Sequence, residues 1–309
     1  EVELIFFDQL GSGLSDCSDA HEACYSPKYW TLDTYMVQIE SVRSTLHLHV
    51  QETILLGHSF GSLLALEYAI QMSAKGHQFA GLVILDWVAS TRSYNFRQWE
   101  IYRSFPPSVR DKISNFARAG DWNSPEYLAL LQEYYYDVYY YHGSGSMNSP
   151  EVHWDYDHAN GDLWLTMFGR NQMNVTGNIG TWNRFPQLHT LKSPALLVVG
   201  EFDMVGSEAV EAMADAMPSA TFQFIANSGH FTFLDQPKQF AECLGAWLAS
   251  LRADRESKLL MEKEASRTGT MIALCFSAAA FLASVVIGYG ARHKRRKQLP
   301  DCLQPMLTA

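Results

Sequence analysis

The chain has 309 residues, of which 47% are hydrophobic, so it can bury a large core as one domain or two and is not a disordered protein. Its formal net charge of -10 argues against a nucleic-acid partner, because binding phosphates requires a basic surface. Five cysteines are too few for a disulfide scaffold. Cys17 and Cys24 flank a short polar loop and suit either a disulfide or two free thiols, whereas Cys243, Cys275 and Cys302 lack metal-ligand spacing. We expect no metal site.

The first predicted element is a strand that begins at the second residue of the chain. Because the chain opens directly on it, without an initiating Met or a signal sequence, we expect further residues upstream. Short apolar runs predict strands, and apolar residues recurring every three to four positions predict helices. The predicted strands are 2–7, 53–56, 82–85, 195–199 and 221–225, and the predicted helices are 32–50, 61–72, 208–217 and 238–251. This alternation is typical of a parallel sheet covered by helices.

A segment rich in Trp, Tyr and Asn interrupts the alternation at 91–191, and it includes the run YYYDVYYY at 134–141. We predict that this segment is a helical cap, inserted between the two parts of a core at 1–90 and 192–251. Dense aromatic side chains of this kind pack a core or line a substrate pocket.

An uncharged apolar stretch at 270–291 follows a charged linker at 252–269. Its length matches the roughly 20 residues needed to span a bilayer, and it has few polar groups, so we predict a single transmembrane helix rather than a buried core helix. The basic tail at 292–309 begins with a cluster of Lys and Arg, which predicts a cytoplasmic tail and an extracellular or lumenal domain. A tail-anchored protein with a cytosolic domain is the alternative.

The motif G-x-S-x-G lies between the second predicted strand and the helix after it, at Gly57, Ser59 and Gly61. A sharp strand-to-helix turn of this kind exposes a serine at the edge of a sheet, and this arrangement is the nucleophile elbow. The start of the helix directs free N–H groups and a favourable dipole at a developing oxyanion. The sequence therefore predicts Ser59 as a nucleophile and the N–H of Phe60 as an oxyanion donor.

A serine hydroxyl needs a general base within hydrogen-bonding reach, and the base needs an acid that orients it. In this arrangement the acid and then the histidine follow the serine along the chain. Asp203 comes just after the fourth predicted strand, and Glu201 is the alternative two residues earlier. His230 follows the fifth strand and a turn of small residues. We predict Ser59, Asp203 and His230 as a catalytic triad.

The segment at 6–15 resembles the D-Q-x-G-x-G-x-S motif of the proline iminopeptidase family of α/β-hydrolases. The segments around Ser59, Asp203 and His230 are similar to those of the family, so the resemblance covers residues 2–251. It implies the α/β-hydrolase fold, a mostly parallel sheet with a helical cap, here lacking the first strands and extended by the transmembrane helix. It also implies release of an N-terminal residue, often proline, from short peptides without a metal or organic cofactor.

Two positions depart from the pattern of that family. Gln172 stands where the family has a glutamate that binds the free ammonium of the substrate, and Met204 stands where some members have a second one. The resemblance makes Gln172, Met204 and Glu201 candidate substrate-binding residues. The H-G-G-P-G loop of the family, which supplies another oxyanion donor, would precede residue 1. We also expect Asn174, in an Asn-Val-Thr sequon, to be at least partly buried and unmodified.

Three functions follow from these expectations. The first is an aminopeptidase of the proline type that acts on short peptides through an acyl-enzyme. The second is an esterase or amidase that uses the same triad on small acyl substrates without a free amine. The third is a non-catalytic binding domain on a hydrolase scaffold.

Overall fold

Six parallel strands form one sheet in the computed structural model of the chain, which describes residues 2–15, 27–142, 149–261 and 271–276. The strands are β1 (Val2–Phe6), β2 (Thr53–His58), β3 (Gly81–Leu85), β4 (Ala195–Gly200), β5 (Ala220–Ile225) and β6 (Met271–Phe276). Their spatial order is β1-β6-β2-β3-β4-β5. The five strands predicted from apolar runs are confirmed to within two residues at either end. β3 and β4 are buried along their whole length, as expected for inner strands with both faces covered.

Helices cover the sheet and also make up most of residues 91–191, the segment that we call the cap. They are α1 (Leu32–Thr45), α2 (Phe60–Ala74), α3 (Thr91–Ser104), α4 (Pro107–Ala119), α5 (Pro125–Leu131), α6 (Pro150–Asp157), α7 (Gly161–Met167), α8 (Ser207–Asp215), α9 (Thr232–Asp235) and α10 (Pro237–Met261). A π-helix follows α5 at Gln132–Tyr140, and short 3-10 helices occur at Gly13–Ser15, Pro27–Tyr29, Val50–Glu52 and Phe185–Thr190. α1 ends five residues before its predicted end, and His47 just beyond it adopts a left-handed φ of 53° that a helix cannot continue.

Both ends of the cap are tied to the core near the carboxyl end of β3. The N–H of Thr91 donates to the carbonyl of Trp182 at 2.9 Å, and the N–H of Arg184 donates to that of Ala89 at 2.8 Å. The buried carboxylate of Glu67, on α2, accepts from the Trp182 indole at 2.9 Å and from two nitrogens of Arg184 at 2.6 and 3.0 Å. The cap thus leaves and rejoins the core at one place above the sheet.

The C-terminal apolar stretch does not begin as a helix. Residues 271–276, within the predicted transmembrane helix at 270–291, form β6 and pair in parallel with both β1 and β2. The prediction of a helix is wrong for these residues, because a short apolar run suits an inner parallel strand as well as a membrane span. Among the described residues, no helix has the length and apolar character needed to cross a bilayer.

Several predictions fall partly or wholly on residues that the structure does not describe. Outside the described residues lie the rest of the predicted span, at 270 and 277–291, the basic tail at 292–309, and both Cys17 and Cys24. The charged linker predicted at 252–269 lies within α10 up to Met261, and the rest of it is likewise outside.

Candidate active site

Ser59 lies in the tight turn between β2 and α2, with φ 53° and ψ -121°. Such angles are strained for any residue with a side chain, so the turn needs external support. The N–H of Ser59 donates to the carbonyl of Leu85 at 2.9 Å, and the Ser62 hydroxyl donates to the same carbonyl and to that of Gly57. A Cβ on Gly57 would lie 2.3 Å from the carbonyl oxygen of Gly61. The two glycines of the motif therefore let the chain pack tightly beneath the serine.

Three side chains form one line of hydrogen bonds at the carboxyl edge of the sheet. His230 Nε2 lies 2.8 Å from Ser59 Oγ, and His230 Nδ1 lies 3.0 Å from Asp203 Oδ1. Because a carboxylate only accepts, Nδ1 carries the proton and Nε2 is free to accept from the serine hydroxyl. The Asp203 and His230 side chains have no solvent exposure, whereas Ser59 is 8% exposed. The structure thus brings together the serine, base and acid that the sequence predicts.

The Asp203 carboxyl is buried beside groups that favour its charged form. Burial raises its pKa, but the effects that lower it, chiefly attraction to His230 and hydrogen bonds from His230 and from the N–H of Val205, outweigh burial. The pKa of Asp203 is therefore below its usual value. An ionised carboxylate next to Nδ1 is what an imidazole needs to hold its tautomer and to accept a proton at Nε2.

His58 and Tyr140 hold the backbone and the ring of His230. The His58 Nε2–H donates to the carbonyl of His230 at 2.6 Å, and the N–H of His230 donates to the carbonyl of Tyr140 at 3.2 Å. The ring centroids of His58 and Tyr140 lie 4.9 and 4.8 Å from that of His230. Burial lowers the pKa of His58 to about 3, so this second histidine is neutral. Tyr140 ends the π-helix, and the cap therefore helps to position the imidazole.

The backbone N–H of Phe60 is the first of α2 and finds no backbone acceptor among the described residues. This N–H lies next to Ser59, so it can donate to the carbonyl oxygen of a substrate that Ser59 attacks. The Phe60 ring is fully buried and packs edge-on against Phe168 from the cap, with ring centroids 5.4 Å apart. The position suits the predicted oxyanion donor.

Of the predicted substrate-binding residues, Gln172 lies within the cap, and Met204 lies in the core in contact with the cap. Gln172 Oε1 accepts from the Tyr136 hydroxyl at 2.8 Å. Met204 is buried, and its sulfur lies 3.2 Å from the Tyr135 hydroxyl. Both side chains are uncharged, so this network contains neutral groups where the family pattern has carboxylates.

Glu201 and Asn174 lie elsewhere. Glu201 is exposed, and its Oε2 accepts from the N–H of Asn227 at 2.9 Å, so it holds a turn and does not join Asp203 at the imidazole. Asn174 is exposed, and the prediction that it is partly buried is wrong. It follows Asn171 in a tight turn, closed by a backbone hydrogen bond of 2.9 Å, and such turns lie at the surface.

The sequence profile of the alpha/beta hydrolase family matches residues 1–243 of the chain. The chain belongs to this family. Its curated relatives include a proline iminopeptidase of Chitinophaga pinensis, 25% identical over 236 residues and covering 76% of each chain. Another is the proline iminopeptidase of Lactobacillus delbrueckii subsp. lactis, 27% identical over 250 residues, covering 80% of this chain and 81% of that protein.

Two solved structures show the same fold as this alpha/beta hydrolase. A proline iminopeptidase of Mycobacterium smegmatis superposes with a TM-score of 0.67 at 22% identity and 80% coverage of both chains. VinJ superposes with a TM-score of 0.68 at 22% identity and 79% coverage of both chains. The predicted α/β-hydrolase core with its parallel sheet and covering helices is therefore confirmed.

Proposed function

We propose that this alpha/beta hydrolase is a serine hydrolase that forms an acyl-enzyme on Ser59. The observation that carries the proposal is the unbroken line of hydrogen bonds from Ser59 Oγ through His230 to Asp203. A non-catalytic binding domain would not need a strained serine, a correctly oriented imidazole and a buried carboxylate in this order.

The proposed reaction has two halves. Ser59 Oγ attacks the carbonyl carbon of the substrate while His230 Nε2 takes the hydroxyl proton, and the N–H of Phe60 donates to the oxyanion. The imidazolium then protonates the leaving amine or alcohol, which departs and leaves the acyl group on Ser59. Water then enters and its oxygen attacks the acyl carbon, while its proton passes to His230 Nε2. The bond from this carbon to Ser59 Oγ breaks, the acid leaves, and His230 returns the proton to the serine. Asp203 stabilises the imidazolium in both halves.

For the substrate, the leading proposal is the N-terminal residue of short peptides, with proline as the first choice. Its support is the shared identity with proline iminopeptidases over about three quarters of each chain. The cap also supports a short substrate, because its residues Phe168 and Tyr140 pack against Phe60 and His230 beside the serine.

A second candidate is an esterase or amidase that acts on acyl groups without a free amine. The neutral pair Gln172 and Met204 favours it, because a desolvated ammonium loses charge compensation when its carboxylates are absent. The hydroxyl of Tyr136, which donates to Gln172 Oε1, supplies a neutral hydrogen-bonding surface at this place.

A matched set of substrates separates these candidates. We expect full-length protein to cleave a proline arylamide with a free amine faster than its N-acetylated form, and faster than short acyl esters. Turnover of the esters alone would exclude the aminopeptidase and favour the second candidate. In that case Gln172→Glu should raise kcat/KM on the free-amine substrate by about tenfold or more, because it adds a charge partner for the ammonium.

A further inference from the structure

A second buried carboxyl group, that of Asp86, lies beside the candidate triad. Asp86 follows β3 at the same edge of the sheet as Ser59 and Asp203, and it has no solvent exposure. Its φ of 55° is left-handed, and the side chain enters the core between two strand ends. Asp86 Oδ1 accepts from the N–H of Gly200 at 3.2 Å, and Oδ2 accepts from the Thr232 hydroxyl at 2.9 Å.

The triad acid has an oxygen that no donor satisfies. Asp203 Oδ1 accepts from His230 Nδ1 and from the N–H of Val205, both at 3.0 Å. Asp203 Oδ2 is buried and, among the described residues, finds no hydrogen-bond donor as long as both aspartates are ionised. Asp86 and Asp203 follow the paired strands β3 and β4, and Asp86 Oδ1 accepts from the N–H of Gly200, three residues before Asp203. The two carboxyl groups also influence each other's pKa. A proton on Asp86 would supply the missing donor.

The surroundings provide no charge that would keep Asp86 ionised. The titratable groups that interact with this pair of acids include His58 on β2, His230 after β5 and Tyr94 on α3. His58 Nε2 lies 3.8 Å from Asp86 Oδ2, but this nitrogen already donates to the carbonyl of His230. Among the described residues, no Lys or Arg forms an ion pair with either aspartate. Two adjacent buried carboxyl groups without a cationic partner cannot both ionise at low cost.

We propose that Asp86 is a positioning residue, a neutral carboxylic acid that donates a hydrogen bond to Asp203 Oδ2 and so fixes the carboxylate that orients His230. This role rests on the proposed function of the triad. The hydrogen bonds that the described residues make to the Asp86 side chain come from Gly200 and Thr232 and not from Ser59, so Asp86 acts through Asp203.

The direction of the pKa of Asp86 agrees with this role. Burial and then repulsion by Asp203 raise it well above the usual value, and the hydrogen bonds from Thr232 and Gly200 only partly oppose the rise. The two neighbouring acids thus shift in opposite directions, Asp86 upward and Asp203 downward. In such a pair one acid is protonated, here Asp86, and the other is ionised, here Asp203.

Infrared spectroscopy tests the protonation without any substrate. At neutral pH we expect the carbonyl stretching band of a protonated carboxylic acid in the wild-type chain, and loss of this band in Asp86→Asn. The exposed Asp215 provides a matched control, and Asp215→Asn should keep the band. Thr232→Val removes the hydroxyl that donates to Asp86 Oδ2 and should shift the band. A wild-type spectrum without the band, or a band that survives Asp86→Asn, would overturn the proposal.

Kinetics then test the positioning role. Asp86→Ala removes the donor and should lower kcat by about 10- to 100-fold with little change in KM, whereas Asp86→Asn keeps an N–H donor and should restore most of the rate. The acid limb of the pH profile should be the same in Asp86→Asn and wild type. If Asp86 is ionised instead, removing its charge would move that limb down by about one pH unit or more. A wild-type chain that shows the infrared band but no turnover would contradict the proposed function, while the protonation of Asp86 would still be supported.

Discussion

Asp203 and Glu201 lie two positions apart after β4, and only Asp203 reaches the imidazole of His230. Asp203 turns inward to Nδ1 at 3.0 Å, whereas Glu201 remains exposed and holds the N–H of Asn227. An acid that orients a catalytic base must be fixed in position and shielded from water, and only Asp203 meets both conditions. Neutralising Asp203 should therefore affect the reaction rate more than neutralising Glu201.

The effect on kcat should differ between the variants that neutralise Asp203 and Glu201. Asp203→Asn should lower kcat by about 10⁴-fold, because the amide favours the wrong tautomer of His230. Glu201→Gln should cost far less, because it changes an exposed turn. Steady-state rates on the best substrate of the panel, with circular dichroism as a folding control, measure both. Equal losses in the two variants would mean that Asp203 is not the acid.

The residues that carry the predicted chemistry were identifiable in the sequence because each one follows a strand or occupies a turn of small residues. The role of Asp86 was not, although Asp86 also follows a strand and also lies between the serine and the histidine in the chain. Its distinction from Asp203 depends on the side-chain direction that a left-handed φ imposes, and on the fact that Asp203, not Asp86, forms a hydrogen bond with the His230 imidazole. Neither property can be predicted from the spacing of residues along the chain.

At the scale of elements, the loop that carries His230 packs directly on the end of β4. A Cβ on Gly200 would lie 2.2 Å from the carbonyl oxygen of Gly229, which precedes His230. A Cβ on Gly245, within α10, would instead lie in open space. The two glycines therefore offer a matched pair for the same substitution.

Gly200→Ala should push the loop away from β4 and cost about 1 to 3 kcal/mol of stability, because backbone atoms must shift. It should also lower kcat, since His230 moves with the loop. Gly245→Ala should instead stabilise the chain by about 0.5 to 1 kcal/mol, as expected for an unobstructed helix position. Urea unfolding measures both free energies, and a neutral Gly200→Ala variant would show that the contact is not as tight as described.

The Glu67 network joins α2 to the returning end of the cap. Burial raises the pKa of Glu67, but hydrogen bonds from Arg184, Trp182 and Gln71 and attraction to Arg184 outweigh it and lower the pKa. Because the folded-state pKa lies below the unfolded value, ionised Glu67 stabilises the fold above the unfolded pKa. That contribution disappears as the pH falls through the folded pKa.

Glu67→Gln should therefore destabilise the protein at pH 7 by about 2 kcal/mol, because Arg184 loses its partner. The difference from wild type should shrink progressively as the pH is lowered below about 4.5. Denaturant unfolding at a series of pH values measures this difference. A difference that stays constant with pH would indicate a packing effect rather than the carboxylate charge.

At the scale of the whole molecule, the sequence predicts five of the six described strands. Each of these strands is a short apolar run that is separated from the next by a segment with helical periodicity or by the cap. It does not predict β6. Residues 271–276 belong to a longer apolar stretch, and local hydropathy cannot tell an inner strand of a parallel sheet from part of a membrane span. Their place between β1 and β2 depends on partners that lie more than 200 residues away in the chain.

A proline within β6 separates the two placements. Ala273 pairs with Leu4 on one side and Ile54 on the other. Ala273→Pro should lower the free energy of unfolding by about 3 kcal/mol or more, because proline removes a ladder hydrogen bond in an inner strand. Ala273→Val keeps the N–H and serves as the control. Unchanged stability in Ala273→Pro would contradict the strand and favour the predicted helix.

The central claim is that Ser59 is an activated nucleophile, and a fluorophosphonate probe tests it most directly, without knowledge of the substrate. We predict a single adduct on the peptide that contains Ser59, detected by mass spectrometry. The adduct should be absent in Ser59→Ala and form far more slowly in His230→Ala, with both variants folded. A folded wild-type chain that stays unlabelled, or a label that persists in Ser59→Ala, would contradict the account.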